Sequence, residues 1–311
     1  MLDTPRIYVV GAGVIGMSLA ALLAGQGHPV TAVRTSIDGL APTSVAVTVE
    51  LPGKSIQTVV ETASMTELEP VDNGIVALTA KATANKVIAG ILKEKFATFP
   101  LVVMQNGLGV EQPFIEAGLT EVYRCVLYAT GQSAKPNHYR FREVSASPVG
   151  AVNGSPAQTR SIVEQLSTPA FRFRAETDIA REAWKKSIIN AAFNSICPLL
   201  DVDNGIFHRD AGVAAMAAAV IDEASAVAAR AGIHFGEHEL TKQLLHISRR
   251  ADGQLISTLQ DLNHGRETEI DFLNMEIARV GAALQPPVDT PVTRLLGEMI
   301  FAKSRNGCAK T

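Results

Sequence analysis

The sequence predicts an α/β N-terminal domain followed by an all-α C-terminal domain. A strand, a glycine-spaced turn, a helix and a second strand open the chain. Strand and helix patterns then alternate, and from Asp178 onward the apolar spacing is helical throughout. The expected division is 1–175 and 176–311.

Arg6-Ile-Tyr-Val-Val10 is the first strand, followed at once by Gly11-Ala12-Gly13-Val14-Ile15-Gly16. A helix-like apolar run passes through Leu19, Leu22 and Leu23, and Pro29-Val-Thr-Ala-Val33 is the second strand. Strand, G-x-G-x-x-G, helix, strand is the setting in which that motif binds a dinucleotide, in a Rossmann-type domain. Gly11 permits the tight turn, Gly13 lets backbone approach a pyrophosphate, and Gly16 lets helix and strand pack closely. Amides at the helix N-terminus then receive the phosphates, so Ala12, Val14 and Ile15 join the expected cofactor contacts. In NAD binders an acidic residue usually ends the second strand. Here that place holds Arg34, whose guanidinium favours a 2′-phosphate. NADPH/NADP+ is therefore expected ahead of NADH, although Asp38 slightly beyond keeps NAD open.

Further strands are expected at Val45–Leu51, Gly74–Leu78 and Leu101–Met104, with helices near Ala82–Lys93 and Val110–Ala117. Lys81 and Asn106 follow strand ends, where open α/β sheets bind ligands. Taken singly, each is more often loop solvation or turn chemistry, Asn-Gly especially. From Val122 to Arg174 short strand-like pieces alternate with turns such as Pro136-Asn137, and Phe171–Arg174 closes the first domain.

The second domain opens with a long helix from Asp178 through Asn194. Lys186, Asn190 and Asn194 recur every four residues along it, on one slowly drifting face. An exposed polar stripe would look the same. Two asparagines in mid-helix ask for a reason, however, since Asn is a mediocre helix former. Later helices are expected at Gly212–Gly232, near Glu239–Arg250, from Arg266 to about Leu284, and at Thr290–Lys303. Glu267, Glu269 and Asp271 would crowd the first turns of the third of these, as a helix dipole alone explains.

A formal charge of −3 points to neither nucleic acid nor an anionic membrane. No run of about 20 residues reads as a bilayer span. Asp3 stands where a signal peptide needs a basic leader, so a cytoplasmic protein is expected. Cys125, Cys197 and Cys308 read as reduced thiols. The His234/His238 pair is interrupted by Gly236 and lacks a third ligand, so no metal is expected.

Assembled, these residues resemble the ketopantoate reductase (2-dehydropantoate 2-reductase) family over nearly the whole chain. The likeness is carried by GAGVIG, Gly27-His28-x-Val30 with Arg34, Lys81-Ala82 and Gln105-Asn106-Gly107. It continues in Trp184-x-Lys186-x-x-x-Asn190-x-x-x-Asn194, Ser257-x-x-Gln260-Asp261 and Thr268-Glu269-Ile270-Asp271. The resemblance implies NADPH-dependent reduction of a 2-oxo acid to an (R)-2-hydroxy acid, with ketopantoate giving pantoate for pantothenate and coenzyme A synthesis. It casts Lys186 as general acid, and Glu269 as the carboxylate that bonds the substrate oxygen and orients the lysine. It casts Asn190, Asn194, Ser257 and Asn106 as substrate-binding, with Lys81 and Asn106 beside the nicotinamide. The chemistry is consistent: hydride delivery leaves alkoxide character on oxygen, which an ammonium can protonate. One departure is Asn194-Ser195-Ile196-Cys197-Pro198-Leu199, where the family commonly has Asn-Pro followed by Thr-Ala-Leu. It leaves open a related reductase for another bulky 2-oxo acid, branched or aromatic. A non-catalytic NADP(H)-binding sensor is the alternative of another class. The expected partner is the small-molecule substrate, with a homodimer the one assembly entertained.

Overall fold

The computed structural model describes residues 4–36, 38–39, 41–69 and 73–308, with only the backbone of 307 and 308. Asp3 and the Cys308 thiol lie outside the described residues. Two compact units emerge: Met1–Gln105 with Val110–Ile179, and Asn106–Gly109 with Ala180–Thr311.

The first unit is built on an eleven-stranded sheet. Its strands are β1 Arg6–Val10, β2 Val30–Arg34, β3 Thr43–Leu51, β4 Lys54–Ser64, β5 Gly74–Leu78, β6 Leu101–Val103, β7 Val122–Cys125, β8 Ala129–Lys135, β9 His138–Glu143, β10 Ser147–Ala151 and β11 Phe173–Ala175. The spatial order is β11-β10-β7-β6-β5-β1-β2-β4-β3-β9-β8. From β4 through β2, β1, β5 and β6 to β7 every neighbour is parallel. A parallel strand buried on both faces needs an unbroken apolar run, and β1 and β5 supply it with Ile7, Val9, Ile75 and Ala77. The chain leaves β1 towards β2 and returns to β5 on the other side. The carboxyl ends of β1 and β5 therefore form the switch point where such sheets bind ligands.

Helix α1 (Val14–Ala24) packs Met17, Leu19 and Leu23 into the sheet core, all fully buried. Helices α2 (Asn85–Phe96), α3 (Gln112–Glu116) and α4 (Thr159–Leu166) complete this unit. Two expectations need correction. The helix expected over Val110–Ala117 is only the five residues of α3. The longest strand, β4, was not foreseen; it pairs antiparallel with β3 through a turn at Pro52-Gly53, where Gly53 adopts φ +77°. That Pro-Gly dipeptide was the available signal.

The second unit is helical: α5 (Ile179–Leu200), α6 (Ile206–Arg209), α7 (Ala211–Arg230), α8 (Glu239–Arg250), α9 (Ser257–Asn263), α10 (Asn274–Ala283) and α11 (Pro291–Cys308). Its core joins Ile188, Ala192, Phe193 and Ile196 of α5 to Val220 and Val227 of α7 and to Ile277 of α10. At roughly 1.5–3 kcal/mol for each large apolar side chain fully buried, such contacts hold the helices together. The departing segment after Asn194 belongs to this core: Ser195, Ile196 and Cys197 are buried. Burial, with the Asp203 charge second, pushes the Cys197 thiol up to about 12.

Here too the sequence reading is corrected twice. No helix opens at Arg266: a 3-10 turn at Ile270–Phe272 breaks at Leu273 (φ −113°, ψ −102°) before α10 begins. Glu267 and Glu269 therefore precede the helix, and its dipole does not account for them. Helix α7 is also long and apolar enough to cross a membrane by length and composition, because it is alanine-rich. One face of it joins the helical core, with Val213, Ala217, Val220, Ile221, Ala224, Val227 and Ala228 buried, while Met216 on another face is exposed.

Candidate active site

In the first unit the glycines of the opening turn divide into two kinds. Gly11 (φ +112°) lies so close to β5 that a Cβ there would sit 2.3 Å from the Ala80 nitrogen. A Cβ on Gly16 would sit 1.9 Å from the Gly11 carbonyl oxygen and 2.5 Å from Thr79 Oγ1. Both glycines are demanded by the protein itself. Gly13 is different: it is exposed, and a Cβ on it would meet nothing within 4 Å. It is also the N-cap of α1, with no side-chain cap on the helix. Uncapped amides beside an unobstructed glycine fit a dinucleotide pyrophosphate. Ala12, Val14 and Ile15 are half-buried around this turn. Arg34 ends β2 half-buried, paired in register with Ser64 of β4, and Asp38 is exposed further along that loop. Lys81 is exposed just beyond β5, heading the 3-10 turn Ala82–Ala84.

A buried amide pair secures the stem of the next segment. Asn85 Nδ2 donates to Gln105 Oε1 at 2.9 Å, and Gln105 Nε2 returns a bond to Asn85 Oδ1 at 2.7 Å. Gln105 also donates to the Ala80 carbonyl at 2.7 Å, and Asn85 to the Val110 carbonyl at 2.8 Å. Both ends of the excursion 106–109 are thereby fixed. Asn85 escaped the sequence reading, since a lone Asn at a helix start looks like capping.

The excursion itself belongs to the helical unit. Gly107 adopts φ +99°, and a Cβ there would lie 2.4 Å from the Phe272 carbonyl oxygen; Leu108 N donates to that same oxygen at 2.9 Å. Only glycine allows this contact, and it sets Asn106 beside the turn that carries Glu269. Lys186 Nζ donates to Asn106 Oδ1 at 2.8 Å, and Asn106 Nδ2 donates to Glu269 Oε2 at 3.3 Å. One carboxamide thus connects the ammonium to the carboxylate, with its oxygen towards the cation and its nitrogen towards the anion. The sequence alone separates these three residues by as much as 163 positions.

The polar face of α5 is not a solvated stripe. Lys186 and Asn190 are half-buried, and Asn194 is buried. Pro198 inside α5 has no N–H to donate to the Asn194 carbonyl, so the helix ladder is interrupted at this asparagine. Asn106, Asn190, Asn194, Ser257 and Glu269, all anticipated as site residues, line one open recess in the helical unit. Thr258, Asp261 and Leu273, not singled out as site residues from sequence, complete it, and Leu273 is the sole apolar residue of that lining. Asp261 accepts from Arg266 Nε at 2.7 Å. Asp261 was visible in the Ser-x-x-Gln-Asp motif but had been given no role. Among the described residues no group of three or more His, Cys, Asp and Glu side chains is arranged to hold a metal.

Two family models match the chain: "Ketopantoate reductase PanE/ApbA" over residues 7–154, and its C-terminal counterpart over 178–304. The chain is 26% identical to the 2-dehydropantoate 2-reductase of Pyrococcus horikoshii over 310 residues, covering 97% of this chain and 98% of that one. It is 28% identical to that of Archaeoglobus fulgidus over 301 residues, 95% and 96% of the two chains. The fold is shared with a PanE/ApbA family ketopantoate reductase from Ralstonia eutropha at TM-score 0.84, with 22% identity over 97% of this chain and 99% of that one. It is shared equally widely with D-mandelate dehydrogenase, solved with NADH and anilino(oxo)acetate, at TM-score 0.81, with 20% identity over 97% and 99%. Two matched models that together span most of the chain, and relatives aligned almost end to end, lead to one conclusion: this chain belongs to the ketopantoate reductase PanE/ApbA family of oxidoreductases.

Proposed function

We propose that the protein reduces ketopantoate to (R)-pantoate with NADPH. The observation that carries this reading is the Lys186–Asn106–Glu269 connection at the edge of a polar recess. A reduced nicotinamide, when bound, supplies hydride to the 2-oxo carbon. Gly13 and the amides of Ala12, Val14 and Ile15 would hold its pyrophosphate, on a turn shaped by Gly11 and Gly16, and Arg34 its 2′-phosphate. Lys81 and Asn106 are assigned to the nicotinamide end by family resemblance alone. Lys186 would hold a proton at Nζ and deliver it to the alkoxide oxygen as negative charge develops there. Asn106 Oδ1 accepts one ammonium hydrogen and so holds Nζ at the edge of the recess. Glu269 accepts from Asn106 Nδ2 and fixes that carboxamide from its other side. Asn190 and Ser257 offer donors to the substrate carboxylate and hydroxyl.

The lining favours ketopantoate over an aromatic 2-oxo acid of similar size. An aromatic ring needs apolar walls, and this recess has one apolar lining residue among eight. A hydroxymethyl group and a carboxylate, in contrast, find amides, hydroxyls and carboxylates. Homologues bearing the 2-dehydropantoate 2-reductase name support the same choice. A related Staphylococcus aureus ketopantoate reductase is described as dimeric, which supports a homodimer here. The apolar character of α7 fits its place in the helical core, so a cytoplasmic enzyme remains our reading.

The direct test is NADPH oxidation by the purified protein, which should depend on added ketopantoate. Tight NADPH binding with no 2-oxo acid reduced would instead favour a sensor. Cofactor choice has its own test. Arg34→Ala should raise the Kd for NADPH by about 10- to 100-fold, while NADH changes less than about threefold. Equal weakening of both cofactors would remove Arg34 from the 2′-phosphate.

A further inference from the structure

Asn194 lines the recess, yet its carboxamide oxygen is already committed to the protein. Its Nδ2 donates to the Asn190 carbonyl at 3.0 Å. Its Oδ1 has three donors around it: Thr258 Oγ1 at 2.8 Å, Ser257 Oγ at 3.3 Å and the Thr258 backbone N–H at 3.4 Å. A carboxamide oxygen has two lone pairs, so these donors are not equal partners. The Thr258 hydroxyl is at an ideal O–H···O distance, whereas Ser257 is long for such a bond. Thr258 and Asn194 are buried, while Ser257 is exposed at the first position of α9.

We propose that Thr258 is a positioning residue: by satisfying the buried Asn194 oxygen, it releases the Ser257 proton for the substrate carboxylate. This rests on the reading of the recess as a 2-oxo acid site. A serine hydroxyl has a single proton. Spent on Asn194, it leaves Ser257 only lone pairs to present to an anion, and those repel a carboxylate. With Thr258 in place, Ser257 can rotate its proton into the recess without stranding a buried acceptor. Without the Thr258 hydroxyl, the same rotation would strip Asn194 Oδ1 of its last hydroxyl donor, and substrate binding would bear that cost. Asn194 thereby ties α9 to α5 and acts on the substrate through Ser257.

The test measures steady-state kinetics for Thr258→Val and Thr258→Ser, each alone and combined with Ser257→Ala. Valine keeps the shape and removes the hydroxyl. T258V should raise KM for ketopantoate about tenfold, with kcat within about threefold and NADPH affinity unchanged. T258S should stay within about twofold of wild type. In the S257A background T258V should add less than about twofold, because its effect runs through Ser257. An equal KM rise in T258V and in T258S, which keeps the hydroxyl, would show that the effect does not run through the hydroxyl and would overturn the proposal. A T258V effect that persists undiminished beside S257A would do the same, as would an unaltered KM in T258V. Should valine fail to fold, Thr258→Ala is compared with T258S by the same criteria. A wild-type protein that neither binds nor reduces a 2-oxo acid would overturn the functional reading as well. Wild-type turnover with T258V unaltered would overturn this inference alone.

Discussion

Replacing Lys186 by alanine is expected to lower kcat by about 100- to 10,000-fold, the usual range for removing a positioned general acid. The Kd for NADPH should stay within about twofold, since the proposed cofactor cradle is built from Gly11–Gly16 and Arg34. The physical reason lies in timing. The ketone oxygen is nearly neutral before hydride arrives and strongly basic afterwards, so the ammonium contributes mainly in the transition state. Kcat and kcat/KM should therefore fall together. Stopped-flow single turnovers with saturating ketopantoate would isolate the chemical step. A variant that turns over near the wild-type rate would take the proton-donor role away from Lys186. The Asn106 carboxamide and Glu269 would then be supporting a group with another purpose.

Gly16→Ala should cost both stability and cofactor, whereas Gly13→Ala should cost cofactor alone. At Gly16 the added methyl would meet a backbone carbonyl oxygen at 1.9 Å, and backbone cannot swing away as a side-chain tip can. Helix α1 must move off β1 or the turn must open. Overpacking of this severity costs about 3 kcal/mol, which lowers Tm by roughly 6–12 °C in a unit of this size. NADPH affinity should fall at least about 100-fold once the amides are displaced, equivalent to about 2.7 kcal/mol. At Gly13 the methyl meets no protein atom within 4 Å. The apo Tm should hold within about 1 °C, while NADPH affinity falls because the methyl occupies the approach of the pyrophosphate. Calorimetric melting with and without NADPH reads both effects. Unchanged NADPH affinity in G13A would mean that the pyrophosphate does not pass over this glycine.

The parts that were legible in the sequence are those fixed by local periodicity. β1, α1 and β2 followed from an apolar run, a glycine spacing and a second apolar run, because each constraint acts within a few residues. The four-residue spacing of Lys186, Asn190 and Asn194 marked one helix face for the same reason. What stayed hidden depends on contacts distant in sequence. Nothing near Asn106 says that its tetrapeptide joins the helical unit; that follows from Gly107 meeting Phe272. The alternation in β4 is legible only once β3 is present to pair with it. Thr258 looked like a bystander beside Ser257, since its partner Asn194 lies 64 residues away on another helix. The acidic run at Glu267–Asp271 imitated a helix start because acidic residues suit such positions. The break at Leu273 puts Glu269 ahead of the helix rather than in its first turn.

The proposed reaction is reduction of ketopantoate with NADPH, with the substrate held in this polar recess. The measurement that reaches it most directly is kcat/KM for NADPH-dependent reduction of ketopantoate and of phenylglyoxylate, at matched concentrations of each. The amide- and hydroxyl-rich lining predicts a preference for ketopantoate of at least about 100-fold, the discrimination expected when buried polar groups are left unpaired by the wrong substrate. A preference for phenylglyoxylate would contradict the account, and would leave the family fold serving an aromatic 2-oxo acid.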